Sequence, residues 1–227
     1  MPRTARIAPG GFIYHVLNRG VGRMTLFRTD RDYAAFHRAL IDTLQIVPMR
    51  VLFFCIMPNH WHLVLWPNND GELARFMLRL TITHVRRWVE YRKLTGTGHV
   101  YQGRYKSFAV QCDEHLLTLA RYVERNPLRA KLVKRAQDWK YSSLGQAALE
   151  PKLRLPLTES PVDLPKGWLD FVNQPQTAAE EATVRRSVLQ NRPLGSEKWI
   201  KQSLGQLGWR EPLPRGRPRK SKKKSRR

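Results

Sequence analysis

Two short stretches of this chain carry side chains able to do chemistry together. In Met57-Pro-Asn-His-Trp-His-Leu-Val-Leu, His60 and His62 stand two apart within a run of apolar residues typical of a strand. Alternate residues of a strand share a face and lie ~6.5–7 Å apart, close enough for two imidazoles to hold one divalent ion. The second stretch follows Asp113, where Leu116, Leu119, Ala120 and Val123 have the spacing of a helix stripe. His115, Thr118, Tyr122 and Asn126 form a polar flank beside that stripe. Tyr122 and Asn126 are four apart and so share a side of the helix. An amide oxygen suits a hard ion such as Mg²⁺ or Mn²⁺, which also accepts histidine nitrogen. Each piece has a plainer reading as well: a structural histidine pair in a strand, and a boundary tyrosine with its hydroxyl in water.

For the two stretches to meet, a strand must present the histidines to a helix packed on its sheet. Gly10-Gly11 opens an apolar segment, Phe12 to Leu17, that reads as a strand. Asp30 caps a helical pattern with Tyr33, Phe36, Leu40, Ile41 and Leu44 on one side, and Pro48 ends it. Val51 to Met57 is almost wholly apolar, as in a strand covered on both faces. Pro58-Asn59 turns the chain, and His60 to Trp66 returns as its partner. Asp70 starts a helix with Leu73, Phe76, Met77 and Leu80 inward and Arg75, Arg79, Arg86 and Arg87 elsewhere. Val100 to Val110 reads as a fourth strand. Pro127 stops or bends the helix after Asp113, because the residue before a proline is pushed away from helical angles. The order β-α-β-β-α-β, then a helix, predicts an α+β fold: a ferredoxin-like split β-α-β antiparallel sheet, with the Tyr122 helix after the fourth strand. Residues 1–150 are expected to form one domain. Residues 151–213 read as a proline-rich connector with short helices near Ala178–Gln190 and Glu197–Leu207, and 214–227 as a disordered basic tail.

Charge narrows the partners. The 227 residues carry 41 Lys and Arg against 18 Asp and Glu, a net +23. Arg210 to Arg227 holds ten basic residues and one acid, a net +9, which leaves +14 on residues 1–209. A body this basic calls for a polyanion. The longest apolar run, Val51 to Met57, is far short of the ~20 residues that span a bilayer, and the N-terminus lacks the apolar stretch of a secretion signal. Cys55 and Cys112 have no metal-ligand spacing, and Cys55, in an apolar strand, is expected to be a buried free thiol. A cytoplasmic, nucleoid-associated protein is the expectation.

The ordered set of motifs resembles a known family. The His60-Trp61-His62 run resembles the signature of the single-tyrosine HUH transposases, and Tyr122-Val-Glu-Arg-Asn-Pro resembles their nucleophile helix. Tyr14-His-Val-Leu-Asn-Arg-Gly, Gly98-His-Val-Tyr-Gln-Gly-Arg-Tyr-Lys-Ser, Tyr122 to Val133 and Asp138-Trp-Lys-Tyr-Ser-Ser are similar to stretches of the REP-associated tyrosine transposases. The likeness spans about residues 2 to 146 and resumes more weakly at Arg192-Pro-Leu-Gly-Ser-Glu-Lys-Trp199. Asn126 stands where many wider relatives have glutamine. The resemblance implies Tyr122 as nucleophile and His60, His62 and Asn126 as ligands of a divalent metal, Mg²⁺ or Mn²⁺. It implies cleavage of single-stranded, palindromic hairpin DNA through a 5′-phosphotyrosine, with no nucleotide cofactor, by a protein acting as a monomer.

Several residues could hold the DNA. If Gln102 to Ser107 is extended, Gln102, Arg104 and Lys106 share one face and Tyr101, Gly103 and Tyr105 the other, a pattern suited to phosphates and stacked bases. Arg3 and Arg6 lie on an N-terminal arm. Arg215, Arg217 and Arg219, in Pro214-Arg-Gly-Arg-Pro-Arg-Lys, resemble an AT-hook core, which lies in the narrow minor groove. Two rival functions stay open: a non-catalytic nucleic-acid-binding protein on the same fold, and a metal nuclease using water. A third, a ferredoxin-like RNA binder, is disfavoured because the histidine pair would then have no role.

Overall fold

The computed structural model describes residues 7–96 and 98–209. Four strands form one antiparallel sheet: β1 (Ile13–Arg19), β2 (Arg50–Met57), β3 (His60–Trp66) and β4 (Lys106–Val110), in the order β2-β3-β1-β4. That order, with helices α1 (Asp30–Ile46) and α2 (Glu72–Arg92) in the two crossovers, is the ferredoxin-like arrangement expected. α1 and α2 cover one face, where Tyr14, Val16, Phe54, Trp61, Leu63 and Leu65 meet Phe36, Leu40, Phe76 and Leu80. The other face lies under α3 (Glu114–Glu124), whose Leu116, Leu119, Ala120 and Val123 pack on Ile13, Val64, Phe108 and Val110. Burying each such side chain stabilises the fold by about 1.5–3 kcal/mol, so the apolar clusters on both faces fix the sheet as a central layer. Cys55 is a buried free thiol, as its strand predicts.

Three local expectations are corrected. The N-cap of α1 is Thr29, not Asp30, and Asp32 closes a capping box with it. α2 begins at Glu72 after Gly71, and Asp70 instead accepts a hydrogen bond from the Gly10 amide. The fourth strand is short: β4 starts at Lys106, and before it only Tyr101 makes a single bridge to Gly20. The cause is the Tyr101 hydroxyl. It accepts from Trp61 Nε1 at 2.9 Å and meets His84 Nδ1 at 2.7 Å, which draws the residue into the core and bends the chain away from the sheet.

The later chain seals both sheet edges. Ile56 N and Thr158 N bond across the outer side of β2 to Tyr141 O and Val51 O, and Ser143 N donates to Phe54 O. At the opposite edge, Gln111 N and Leu194 O, then Leu194 N and Ala109 O, extend β4. Such capping removes the unpaired strand edges that invite aggregation. After a four-residue helix α4 (Asn126–Arg129), three more follow: α5 (Trp168–Asn173), α6 (Ala178–Gln190) and α7 (Glu197–Leu207).

Candidate active site

β3 begins at His60, immediately after the Pro58-Asn59 turn, and other backbone holds that turn still. Leu26 N and Phe27 N both donate to Pro58 O, and Gly20 N donates to Asn59 O at 2.9 Å. Only glycine fits at position 20, since a Cβ there would lie 2.5 Å from Met24 O. Register then decides what faces the histidines. His60 pairs with Arg19 and Met57, and His62 with Leu17 and Cys55. Paired residues of antiparallel strands share a face, so Arg19 and both histidines point to the side covered by α3. The two imidazole centroids are 5.0 Å apart with the rings nearly perpendicular. Tyr122 comes down from α3 edge-to-face on His62, at 6.2 Å between centroids.

The hydrogen bonds of the rings leave one nitrogen of each for the site. His60 Nδ1 donates to Asn59 Oδ1 at 2.6 Å, and Asn59 Nδ2 donates to Arg23 O, which fixes the amide orientation. His60 Nε2 therefore carries a lone pair. His62 Nδ1 is engaged with His15 Nε2 at 2.8 Å, so Nε2 is again the remaining nitrogen. Burial pushes His60 down to about 4, with Arg19 and Arg129 adding repulsion. Burial likewise holds His62 well below the usual imidazole range, reinforced by His15, His60 and the same two arginines. Both rings are neutral at pH 7, the form in which imidazole ligates metal.

Asn126 lies at the start of α4 because Pro127, lacking an N–H, cannot continue the ladder of α3. Arg125, the residue shared between the two helices, keeps right-handed helical angles, so the break is slight. The Asn126 amide is buried. Its Oδ1 accepts from Arg129 Nη2 at 3.0 Å, and its Nδ2 has no hydrogen-bond partner. A carbonyl oxygen has two acceptor positions, so one remains. Two neutral imidazole nitrogens and an amide oxygen are a donor set that fits a divalent ion. Asp113, Glu114 and His115 also bring ligand atoms within 4.8 Å of one another. That cluster stands at the other end of α3, where Asp113 Oδ1 caps the helix by accepting from His115 N and Nδ1. Capping accounts for it.

Three residues that spacing did not single out belong to the same patch: His15, Arg19 and Arg129. The Arg129 guanidinium lies 4.1 Å over the Tyr122 ring and 4.0 Å from Glu181 of α6. Its position three after Asn126 and seven after Tyr122 is a helical spacing that could have revealed it. Arg19 and His15 are visible only once β1 is registered against β3. The continuous Gln102–Ser107 face is not formed. Gln102 and Arg104 are exposed in a bend before β4, while Lys106 opens β4 and its Nζ donates to Val188 O. Arg3, Arg6, Arg215, Arg217 and Arg219 lie outside the described residues.

Comparisons with known proteins bear on the family and the fold. The family model described as "Transposase IS200 like" matches residues 10–126, from just before β1 to Asn126. A Haemophilus influenzae protein described as a REP-associated tyrosine transposase is 26% identical over 117 residues, or 48% of this chain. The chain spans 66% of the length of that curated relative. The solved structure of a REP-associated tyrosine transposase bound to a REP hairpin superposes with a TM-score of 0.54 at 18% identity, covering 69% of this chain and 92% of the other. At that identity the likeness speaks for the fold. No helix of the described residues is long and apolar enough to cross a membrane. The chain belongs to the family of IS200-like transposases, and within it resembles the REP-associated tyrosine transposases.

Proposed function

We propose that this protein is a metal-dependent endonuclease and strand transferase for single-stranded DNA, acting beside a palindromic hairpin of the REP kind. The observation that carries the reading is the meeting of Tyr122, from α3, with His62, from β3, across sixty residues of sequence. His60, His62 and Asn126 would hold a divalent ion, Mg²⁺ or Mn²⁺. Bound there, it supplies Lewis acidity to a non-bridging oxygen of the scissile phosphate.

The chain's own residues do the rest. Tyr122 Oη attacks phosphorus and the new O–P bond forms as the bond to the 3′ oxygen breaks; the phenolic proton is lost to solvent and the departing 3′ oxygen takes one up. The products are a 5′-phosphotyrosine and a free 3′-hydroxyl. One phosphodiester replaces another, so a second hydroxyl can reverse the exchange without ATP. Arg129, over the Tyr122 ring, and Arg19, beside His60, are the cations placed to offset charge on the phenol and the phosphate. The net +14 of residues 1–209 serves the DNA backbone.

The test is a denaturing gel with labelled hairpin DNA and its single-stranded flanks, in Mn²⁺ or EDTA, using wild type and Tyr122→Phe. A Mn²⁺-dependent protein–DNA adduct that disappears in the Phe variant is the expected result. Cleavage without an adduct, kept in the Phe variant, would instead make water the nucleophile. Tight binding with neither product would make the protein a non-catalytic binder.

A further inference from the structure

The histidine pair does not stand alone on its sheet face. His15, two residues before Leu17 on β1, is fully buried and nearly coplanar with His62, with its Nε2 2.8 Å from His62 Nδ1. Among the described residues, the other ring against it is Phe108 of β4, edge-to-face at 5.0 Å. Among these residues, His15 and not a carboxylate or backbone carbonyl takes the place usually filled behind a metal-binding imidazole. One proton is shared between Nε2 of His15 and Nδ1 of His62, and its owner decides what His62 can do. If His15 donates, His62 must carry its own proton on Nε2 and cannot ligate. If His15 accepts, His62 Nε2 presents a lone pair to the site.

We infer that His15 is a positioning residue for His62: its Nε2 accepts the His62 Nδ1 proton and so holds the His62 Nε2 lone pair toward Tyr122 and His60. This inference rests on the metal reading above. The same logic is already visible at His60, where Asn59 Oδ1, an obligate acceptor, fixes the ring with Nε2 free. The two histidines thus have matched orientations, each held through Nδ1 by a neutral acceptor. His15 Nδ1, which then bears the proton, has no hydrogen-bond partner. Neutrality of the support is the chemical point. A carboxylate behind His62 would add negative charge near a bound cation and weaken its pull on a phosphate oxygen. An imidazole orients the ligand and leaves that positive charge undiminished.

The readout independent of both activity and metal is the tautomer of His62. Long-range ¹H–¹⁵N spectra of the full-length, metal-free protein at pH 7.5 are expected to show the His62 proton on Nδ1. A proton on Nε2 overturns the inference. Two variants extend the test. His15→Phe keeps a buried ring and removes the acceptor, whereas His15→Gln keeps an acceptor oxygen. By electron paramagnetic resonance titration with Mn²⁺ alone, the Phe variant is expected to bind about 10- to 100-fold more weakly, and the Gln variant to recover most of the loss. A folded Phe variant with wild-type Mn²⁺ affinity overturns the inference. If the Phe variant does not fold, the wild-type tautomer decides. Undiminished Mn²⁺ binding in His60→Ala and His62→Ala would remove the metal reading itself, an outcome separate from the tautomer result.

Discussion

Arg129 touches three parts of the site at once. It lies over the Tyr122 ring, donates to Asn126 Oδ1, and stands 4.0 Å from Glu181. A cation so placed offsets charge on the attacking oxygen and the phosphate, and it also steadies the amide that would complete the ligand set. Replacing it with alanine is expected to slow strand cleavage about 100-fold, read as a single-turnover rate on a hairpin substrate with saturating Mn²⁺. An unchanged rate would reduce Arg129 to a packing residue. Lysine keeps the charge but loses the planar fork, so Arg129→Lys should fall between the two. The sequence displayed this arginine at helical spacing from Tyr122 and Asn126. What it could not display is the direction of the guanidinium, which depends on the packing of α4 against its surroundings.

At the scale of elements, α3 is the part that must be rigid, because it delivers Tyr122 to a fixed point on β3. Its start is secured by Asp113, and Asp113→Ala should cost about 1 kcal/mol, measured by urea unfolding. Its outer side is clamped by the later chain. Arg121, 4% exposed, donates to Gln174 O, Pro175 O and Glu180 Oε1 and stacks on Phe171, while Trp168 Nε1 donates to Glu124 Oε2. Truncating one member of a buried charged network strands its partners. Arg121→Ala is therefore expected to destabilise the protein by about 3 kcal/mol, and a loss below 1 kcal/mol would show that α5 and α6 do not brace the helix. The helices Ala178–Gln190 and Glu197–Leu207 are legible in the sequence from their residue pattern. That α6 lies against the Tyr122 helix is not, because a basic residue on α3 carries no label for the carbonyls it will meet.

For the whole molecule, the buried histidines set the response to acid. Burial holds His15 at about 3, His37 at about 4, His60 at about 4, His84 at about 3, and His62 well below its ordinary value. In the unfolded chain each takes up a proton near pH 6.5. Between pH 6.5 and about 4 the unfolded state binds more protons, so stability falls as pH falls through that window. Glu124 runs the other way. Burial raises it to about 7 against hydrogen bonds from Ser143 and Trp168, so it favours the folded state at low pH and loses that contribution as pH rises from 4.5 to 7. Five imidazoles outweigh one carboxyl. Each fully titrating group contributes roughly 1.4 kcal/mol per pH unit, so the metal-free protein should lose several kcal/mol between pH 7 and 5.5. Urea midpoints measured in EDTA check this, and a flat profile would contradict it.

The sequence by itself determined the elements and much of the site. Helical and strand periodicities, the Pro58-Asn59 turn and the spacing of His60 with His62 and Tyr122 with Asn126 are local properties, written within a dozen residues of one another. Local spacing also misled at Val100–Val110. There the alternation of Tyr101, Gly103 and Tyr105 suggested a DNA-facing strand, but the buried Tyr101 hydroxyl accepts from Trp61 Nε1 and is hydrogen-bonded to His84 Nδ1, and the chain turns inward there. Everything that depends on strand register or on long-range packing was left to the tertiary structure. The arrival of Arg19 beside His60, the ring of His15 behind His62, and the closing of both sheet edges by residues 141–194 are of this kind. A pattern of apolar residues says which face of a strand is buried. Which neighbour's side chain shares that face is decided only when every strand and helix competes for the same core.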